Sequence, residues 1–447
     1  MIGSVKEKFG AQGRAVTVVY NGFSCDGGEK KDVLYATESR NCDCGDGRLK
    51  CGLGEELFTK CSGGWVYPAQ TFTPLRIFLR PYKEQDENVA RFRMGITTTK
   101  HCLYEYEKQT AAFKKSLEFS LEIKPVVASN ENNEKILSVY CGIGVWGYTG
   151  KLIDGEVLAG CNFAGRNFYA ARPYRIYFSA VCKPTVFADS ANESGWFDLT
   201  ENGGYVVALM EHADELYVFR DFSVLRLLAR GKASEFQVET LPYHGGAIYG
   251  ESVASCGEKV FFVAKDGLWT FDGAAFKKLR VGERICPHAT APNFRAAYAC
   301  GKYILQYVDE KGENKSLVIA GDGESAYFAF FRPALSGSYG YGLSYRYDTI
   351  RYATQNGKLP SGEKYYFKTQ CSLGAAGRKT LKTLTFYGSG TEDISVSNAE
   401  REDKFSLDFS QGAQTVRLDM KGDKFSLTFE LGEQSSVQQV KAMGYAL

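Results

Sequence analysis

Apolar residues along this chain come in short runs separated by polar turn residues, and the runs come in pairs. Residues 258–273 read EKVFFVAKDGLWTFDG, in which Val260–Val263 and Leu268–Phe271 flank Lys265-Asp266-Gly267. β-Branched and aromatic runs on both sides of an Asp-Gly pair predict a β-hairpin, with a type I′ turn at the pair. The same phrase recurs upstream in ARFRMGITTTKHCLYEYE, KILSVYCGIGVWGYTG, RIYFSAVCKPTVF and ADELYVFRDFSVLRLLARG, and downstream in GKYILQYVDEKGENKSLVIAGD and GLSYRYDTIRYATQNG. One apolar anchor per hairpin gives Phe92, Leu137, Ile176, Leu216, Val260, Ile304 and Leu343, spaced 45, 39, 40, 44, 44 and 39 residues apart.

A period of about 40–45 residues of strand-turn-strand is the spacing of β-propeller blades, each a four-stranded sheet. One blade alone cannot cover its two apolar faces; blades packed in a ring cover each other. The expected fold is therefore all-β: a propeller of six to eight blades, seven preferred, followed by a small antiparallel β-sandwich. The competing arrangement is a set of unrelated hairpins in two β-sandwiches. The one helix-like stretch, Glu105–Leu117, is too short to change this. Beyond about Leu359 the strands shorten and alternate, and DKFSLDF (403–409) and DKFSLTF (423–429) are near copies with Phe405, Leu407 and Phe409 on one face. Gly, Pro and Ser in 357–362 mark the boundary. The expected division is an N-terminal Cys-rich segment over 1–60, holding a ring-closing strand or part of another blade, a propeller over 61–359 and a sandwich over 360–447.

Composition supports strands: 28 Tyr and 30 Phe favour β structure, and 48 Gly against 11 Pro favour tight turns. A formal net charge of +2 removes the electrostatic case for a general nucleic-acid binder and leaves room only for weak, local DNA contact. No apolar stretch approaches the roughly 18 residues of a membrane span, and no signal-peptide core precedes Tyr20, so synthesis in the cytoplasm and no membrane partner are expected. The 13 cysteines are odd in number, and several, such as Cys141 and Cys300, sit in apolar runs as small hydrophobes.

The catalytic signatures are missing: no GxxxxGK[ST] loop, no HExxH, and only a GxG in CGIGVWG that reads as a strand turn. The Ser-x-Asp-x-Gly-x-x-Trp turn of sialidases does not match Asp266-Gly267-Leu268-Trp269. His101, His212, His244 and His288 are isolated, with His244 in a Gly-rich loop the most site-like. No catalytic residue and no cofactor are expected. The weak metal candidate is a zinc site of Cys42, Cys44, Cys51 and Cys61, with Cys25 nearby; its CxC spacing is looser than the usual CxxC knuckles. Asp32, Asp43 and Asp46 lack a calcium-loop register. Two basic groups, Arg76, Arg80, Arg91 and Arg93, and Lys277, Lys278, Arg280 and Arg284, are read as solvated faces or as the lining of a blade edge or central channel. None of Trp65, Trp146, Trp196 and Trp269 precedes an Asp, and the Gly-Gly pairs are out of register with the hairpins, which ranks a WD40 or kelch scaffold last.

The order of phrases from GRNFYAARPYRIYFSAVCKPTVF through Trp196-Phe197 and GGYVVALMEHADELYVFRDFSVLRL to FQVETLPYHGGAIYGESVASCGEKVFFVAKDGLWTFDG resembles tailed-bacteriophage structural proteins of the tail-hub, or packaged-DNA-stabilisation, type. PLRIFLRP upstream and TLKTLTFYGSG, FSLTF and VKAMGYAL downstream extend the resemblance over 75–447; the first 60 residues lie outside it. The resemblance implies a prophage-encoded virion structural protein of the neck or tail, acting by assembly with portal or adaptor and tail proteins, by self-association into a ring, and by plugging the DNA exit. The alternative is a carbohydrate-binding or glycoside-active propeller with the sandwich as its binding module.

Overall fold

The computed structural model describes the chain apart from residues 1–13, 26–29, 59–73, 83–90, 108–111, 188, 190, 192, 289–292, 330–335, 339–340, 347–348, 356, 374–377 and 447. The chain divides into two compact units, one formed by 55–323 and 332–354, the other by 1–54, 324–331 and 355–447. Among the described residues the strands form seven four-stranded sheets and two six-stranded ones.

The seven four-stranded sheets are propeller blades. Their first strands are Pro74–Tyr82, Lys124–Ser129, Val157–Phe163, Val206–His212, Ala254–Cys256, Arg295–Ala299 and Ser336–Ser338. These touch one another in order around a closed circuit, the seventh meeting the first, so they line a common axis. Blade 7 has only three strands of its own, and its outermost position is filled by Gly54–Leu57 from the N-terminal part of the chain. Phe58 N–H bonds Ile350 O at 3.0 Å there. Phe58 then packs with Ile77, Leu79, Phe92, Met94, Leu343 and Ile350, so that one apolar cluster joins blade 7 to blade 1.

The continuous apolar runs follow from burial on both faces. In Glu215–Arg220, the second strand of blade 4, Leu216 and Val218 enter the cluster shared with blade 3, while Tyr217 and Phe219 enter the cluster shared with blade 5. Alternate side chains serve opposite neighbours, so no polar alternation survives. The anchors Phe92, Leu137, Leu216, Val260, Ile304 and Leu343 all fall in second strands, whereas Ile176 falls in the third strand of blade 3. The opening hairpin pairs Val263 with Leu268 and Ala264 with Gly267. Its turn is not type I′: neither Lys265 nor Asp266 has positive φ, and Gly267 takes φ 141° instead. The helix-like stretch at 105–117 forms parts of two strands, Cys102–Glu107 and Ala112–Glu118.

The six-stranded sheets make the sandwich. One has the order Gln414–Gly422, Lys379–Ser389, Ser436–Ala446, Leu49–Cys51, Cys42–Asp43, with Arg14–Tyr20 also paired to Ser436–Ala446. The other runs Gly22–Ser24, Val33–Arg40, Tyr365–Cys371, Phe425–Leu431, Thr391–Ser397, Glu402–Asp408. Phe386 of the first meets Phe429 of the second edge to face, centroids 6.0 Å apart. The near-copies DKFSLDF and DKFSLTF flank Thr391–Ser397 on its two sides. The sandwich departs from the antiparallel expectation at one pair, Gly22–Ser24 with Val33–Arg40, which is parallel. The stretch expected as a separate segment over 1–60 supplies five strands here and the closing strand of blade 7.

Two fully buried arginines hold connectors in place. Arg220 donates to the carbonyls of Thr200 (2.7 Å), Asn202 and Gly204 (2.8 Å), fixing the link from blade 3 to blade 4. Arg166 does the same for Ser179 O and Glu193 O, both at 2.8 Å. In the sandwich, Glu392 is 3% exposed and neither carboxylate oxygen has a hydrogen-bond partner. Burial alone pushes its carboxyl up to about 8.

Arg220→Met leaves three carbonyls without their donor and is expected to cost about 2–4 kcal/mol, read as a lower melting temperature in calorimetry. For Glu392 the native state holds its proton from the ordinary value of 4.5 up to about 8, while the unfolded chain has released it. Stability from this group is therefore full below pH 4.5 and falls as pH rises to about 8. Glu392→Gln should remove that slope and stabilise the protein by about 2–4 kcal/mol at higher pH; a wild-type melting temperature flat across this range would contradict it.

Candidate functional site: the axial mouth of the propeller

In a four-stranded antiparallel blade, the end where the first strand begins also carries the connector from the previous blade and the turn between second and third strands. Arg76, Lys124 and Arg295 stand at such beginnings, and Glu122 and Glu251 lie in the connectors before blades 2 and 5. The five side chains converge on one cavity at the axis, about 540 Å³, lined also by Tyr249, Phe294, Asn293, Gln306 and Asn314.

Arg76 is the centre of the network. Its Nε donates to Glu122 Oε1 at 3.0 Å and its Nη2 to Glu251 Oε2 at 2.6 Å. Lys124 Nζ bonds the other oxygen of Glu251. Burial alone would raise the Glu251 carboxyl, but Arg76 and Lys124 outweigh it and hold it at about 2. Burial would likewise lower Arg76, and Glu251 and Glu122 reverse that. Arg295 is different. Burial first, and then the neighbouring Arg76 charge, depress it. Its one hydrogen bond among the described residues is from Nη1 to Leu75 O at 2.7 Å.

This chemistry is unsuited to glycoside hydrolysis. That reaction needs one carboxyl kept protonated as general acid beside an ionised partner. Glu251 is held ionised, and both Glu122 and Glu251 are bound to the same guanidinium. The same end of the propeller exposes apolar side chains on its connectors and turns: Leu121 at 41%, Ile143 at 42% and Phe222 at 62%. Aromatic rings exposed on this face are partly capped by cations, Tyr205 by Arg172 at 4.4 Å. Trp196, in the outer strand of blade 3, is covered by Arg175 at 3.5 Å.

The sequence-predicted residues are placed as follows. Arg76 does line the central channel. Arg80, on the same strand, pairs with Glu105 at 3.0 Å. The side chains of Arg91 and Arg93 lie outside the described residues, Lys277, Lys278 and Arg280 are exposed, and Arg284 is half-buried. His212 is buried between Ser255 Oγ (2.9 Å) and Glu258 O (3.1 Å), a structural role, and His244 is exposed. Cys42 lies opposite Cys51 across a strand pair, and Cys25 Sγ is 3.3 Å from Cys44 Sγ. Cys61 lies outside the described residues. Zinc takes thiolates, whereas burial pushes the Cys42 and Cys44 thiols well up and Cys51 to about 11. Among the described residues no three His, Cys, Asp or Glu side chains are arranged to hold a metal ion. Asp43 and Asp46 accept from the backbone of their own turn, from Gly45 N at 2.9 Å and Arg48 N at 3.2 Å. Sequence reasoning missed Lys124, Glu122, Glu251 and Arg295. Their one shared signal is position, just before or at the start of a blade's first strand.

No protein-family model matches the chain, and no curated protein matches it in sequence. Among solved structures it is similar to the β-propeller domain of Cps50 (Swd1) from Myceliophteria thermophila, at 10% identity, covering 61% of this chain and 98% of that one, TM-score 0.39. It is also similar to U3-55K, at 10% identity, covering 64% and 97%, TM-score 0.39, and to a chain of the mitotic checkpoint complex, at 14% identity, covering 64% and 93%, TM-score 0.39. These likenesses concern the fold alone, and the fold is a β-propeller.

Proposed function

We propose that the chain is a non-enzymatic structural protein that acts by protein–protein assembly, in the neck or tail of a phage or prophage particle. The observation that carries the non-enzymatic part is the state of the axial mouth: both carboxylates are tied to Arg76, and Glu251 is far from the proton affinity a general acid needs. Leu121, Ile143 and Phe222 on the same face suit contact with another protein, because exposed apolar side chains gathered on one face mark interaction surfaces. The particle assignment is supported by the strand phrases over 75–447 and by their order, propeller then sandwich. The partners on this reading are portal or adaptor and tail proteins, and further copies of the chain in a ring. Sugar binding is less favoured, since Arg175 and Arg172 already lie over ring faces of Trp196 and Tyr205 that a sugar would stack on.

The test is co-expression with the portal and adaptor proteins encoded beside its gene, followed by native mass spectrometry. The expected result is a stoichiometric ring complex that Phe222→Asp and Leu121→Asp weaken without lowering the melting temperature of the free chain. A gene neighbourhood without portal, terminase or capsid genes, or turnover of a chromogenic glycoside by the pure protein, would overturn the proposal.

A further inference from the structure

The axial mouth holds three cations, Arg76, Lys124 and Arg295, against two carboxylates, Glu122 and Glu251. The carboxylates are already committed to Arg76 and Lys124. Arg295 is left as the surplus charge, with Nε and Nη2 unpaired among the described residues and with Arg76 as its strongest charged neighbour. A guanidinium removed from water with donors to spare is costly unless a counter-charge meets it.

The surroundings supply the rest of a binding site. Gln306 pairs with Arg295 across adjacent strands, and Asn314 pairs with Val308 one strand further out. With Asn293 they line the same cavity as neutral polar groups. Tyr249 and Phe294, centroids 5.0 Å apart, form an aromatic wall beside them. Acidic side chains in the lining are confined to the two that Arg76 already holds. A planar guanidinium fork with amide donors at its side matches the geometry of an oxyanion.

We infer that the axial mouth binds one oxyanion, a carboxylate or a phosphate group, through Arg295, with Asn293, Gln306 and Asn314 as supporting donors. The Arg76–Glu122–Glu251–Lys124 network acts as a rigid, internally neutral-to-positive floor that keeps Arg295 from finding a protein counter-ion. This site does not depend on the assembly reading, which is tested separately by the portal complex.

The experiment is isothermal titration of the full chain with inorganic phosphate in one arm and acetate in the other, at ionic strength held constant with chloride. Saturable heat with one or both anions is expected, and the stronger arm identifies the group the site takes. Arg295→Gln should weaken binding at least about tenfold, the value of one charge-assisted hydrogen bond, and Arg295→Lys should recover part of it. Without added anion, Arg295→Gln should melt no lower than wild type, because the surplus buried charge is gone. No saturable heat in either arm overturns the inference. So does equal binding by wild type and Arg295→Gln. If Arg295→Gln does not fold, Arg295→Lys alone decides, since binding unchanged by loss of the planar fork counts against the site.

Discussion

Burial of each blade's inner strands on both faces is the constraint on which the propeller depends. A four-stranded sheet with apolar residues on both sides is insoluble alone and incomplete beside a single neighbour. It becomes stable when neighbours stand on both sides, and the only finite arrangement that gives every sheet two neighbours is a ring. Seven such sheets close here because Gly54–Leu57 completes the last one and Phe58 carries the core across from blade 7 to blade 1. The closing strand thus does for the ring what the turn does for a hairpin: it ties together parts of the chain that lie far apart in sequence.

The same constraint sends polar residues to the ends of the blades. First strands crowd about the axis, and their beginnings meet there with the incoming connectors. Charged side chains at those positions cannot spread into bulk water, so they settle one another's charges. Arg76 with Glu122 and Glu251 is the result, and the acidity of Glu251 shows how completely the pairing overrides the effect of burial. A mouth built in this way is poor at proton transfer and good at presenting a fixed field. Arg220 and Arg166 solve a related problem at the connectors, where irregular backbone leaves carbonyls that no ladder can satisfy.

Much of the fold was legible in the sequence because two-face burial writes itself as uninterrupted apolar runs at blade spacing. VFFV over 260–263 and LYVF over 216–219 carry no polar alternation, and the runs recur about every 40–45 residues. The sandwich was legible in DKFSLDF and DKFSLTF, where one buried face leaves every second residue polar. The turn type at Lys265-Asp266-Gly267 was misread because Asp-Gly is compatible with several turns, and the strand pairing decides among them. The separate N-terminal segment was misread because its strands are short and find their partners some 300 residues later, as Ala36 does with Thr369.

Of the site, only Arg76 was within reach, as one member of a basic group on a strand. Lys124, Glu251 and Arg295 belong to three blades and are unremarkable where they stand in the chain. What the sequence by itself determined was therefore local: which segments are strands, how often they recur, and that both faces of most must be covered. The tertiary structure decided which distant segments share a sheet and which charges meet at the axis. The physical reason is that strand formation and burial depend on neighbours along the chain, whereas a charge network depends on the ring being closed, and closure is a property of the whole circuit of blades.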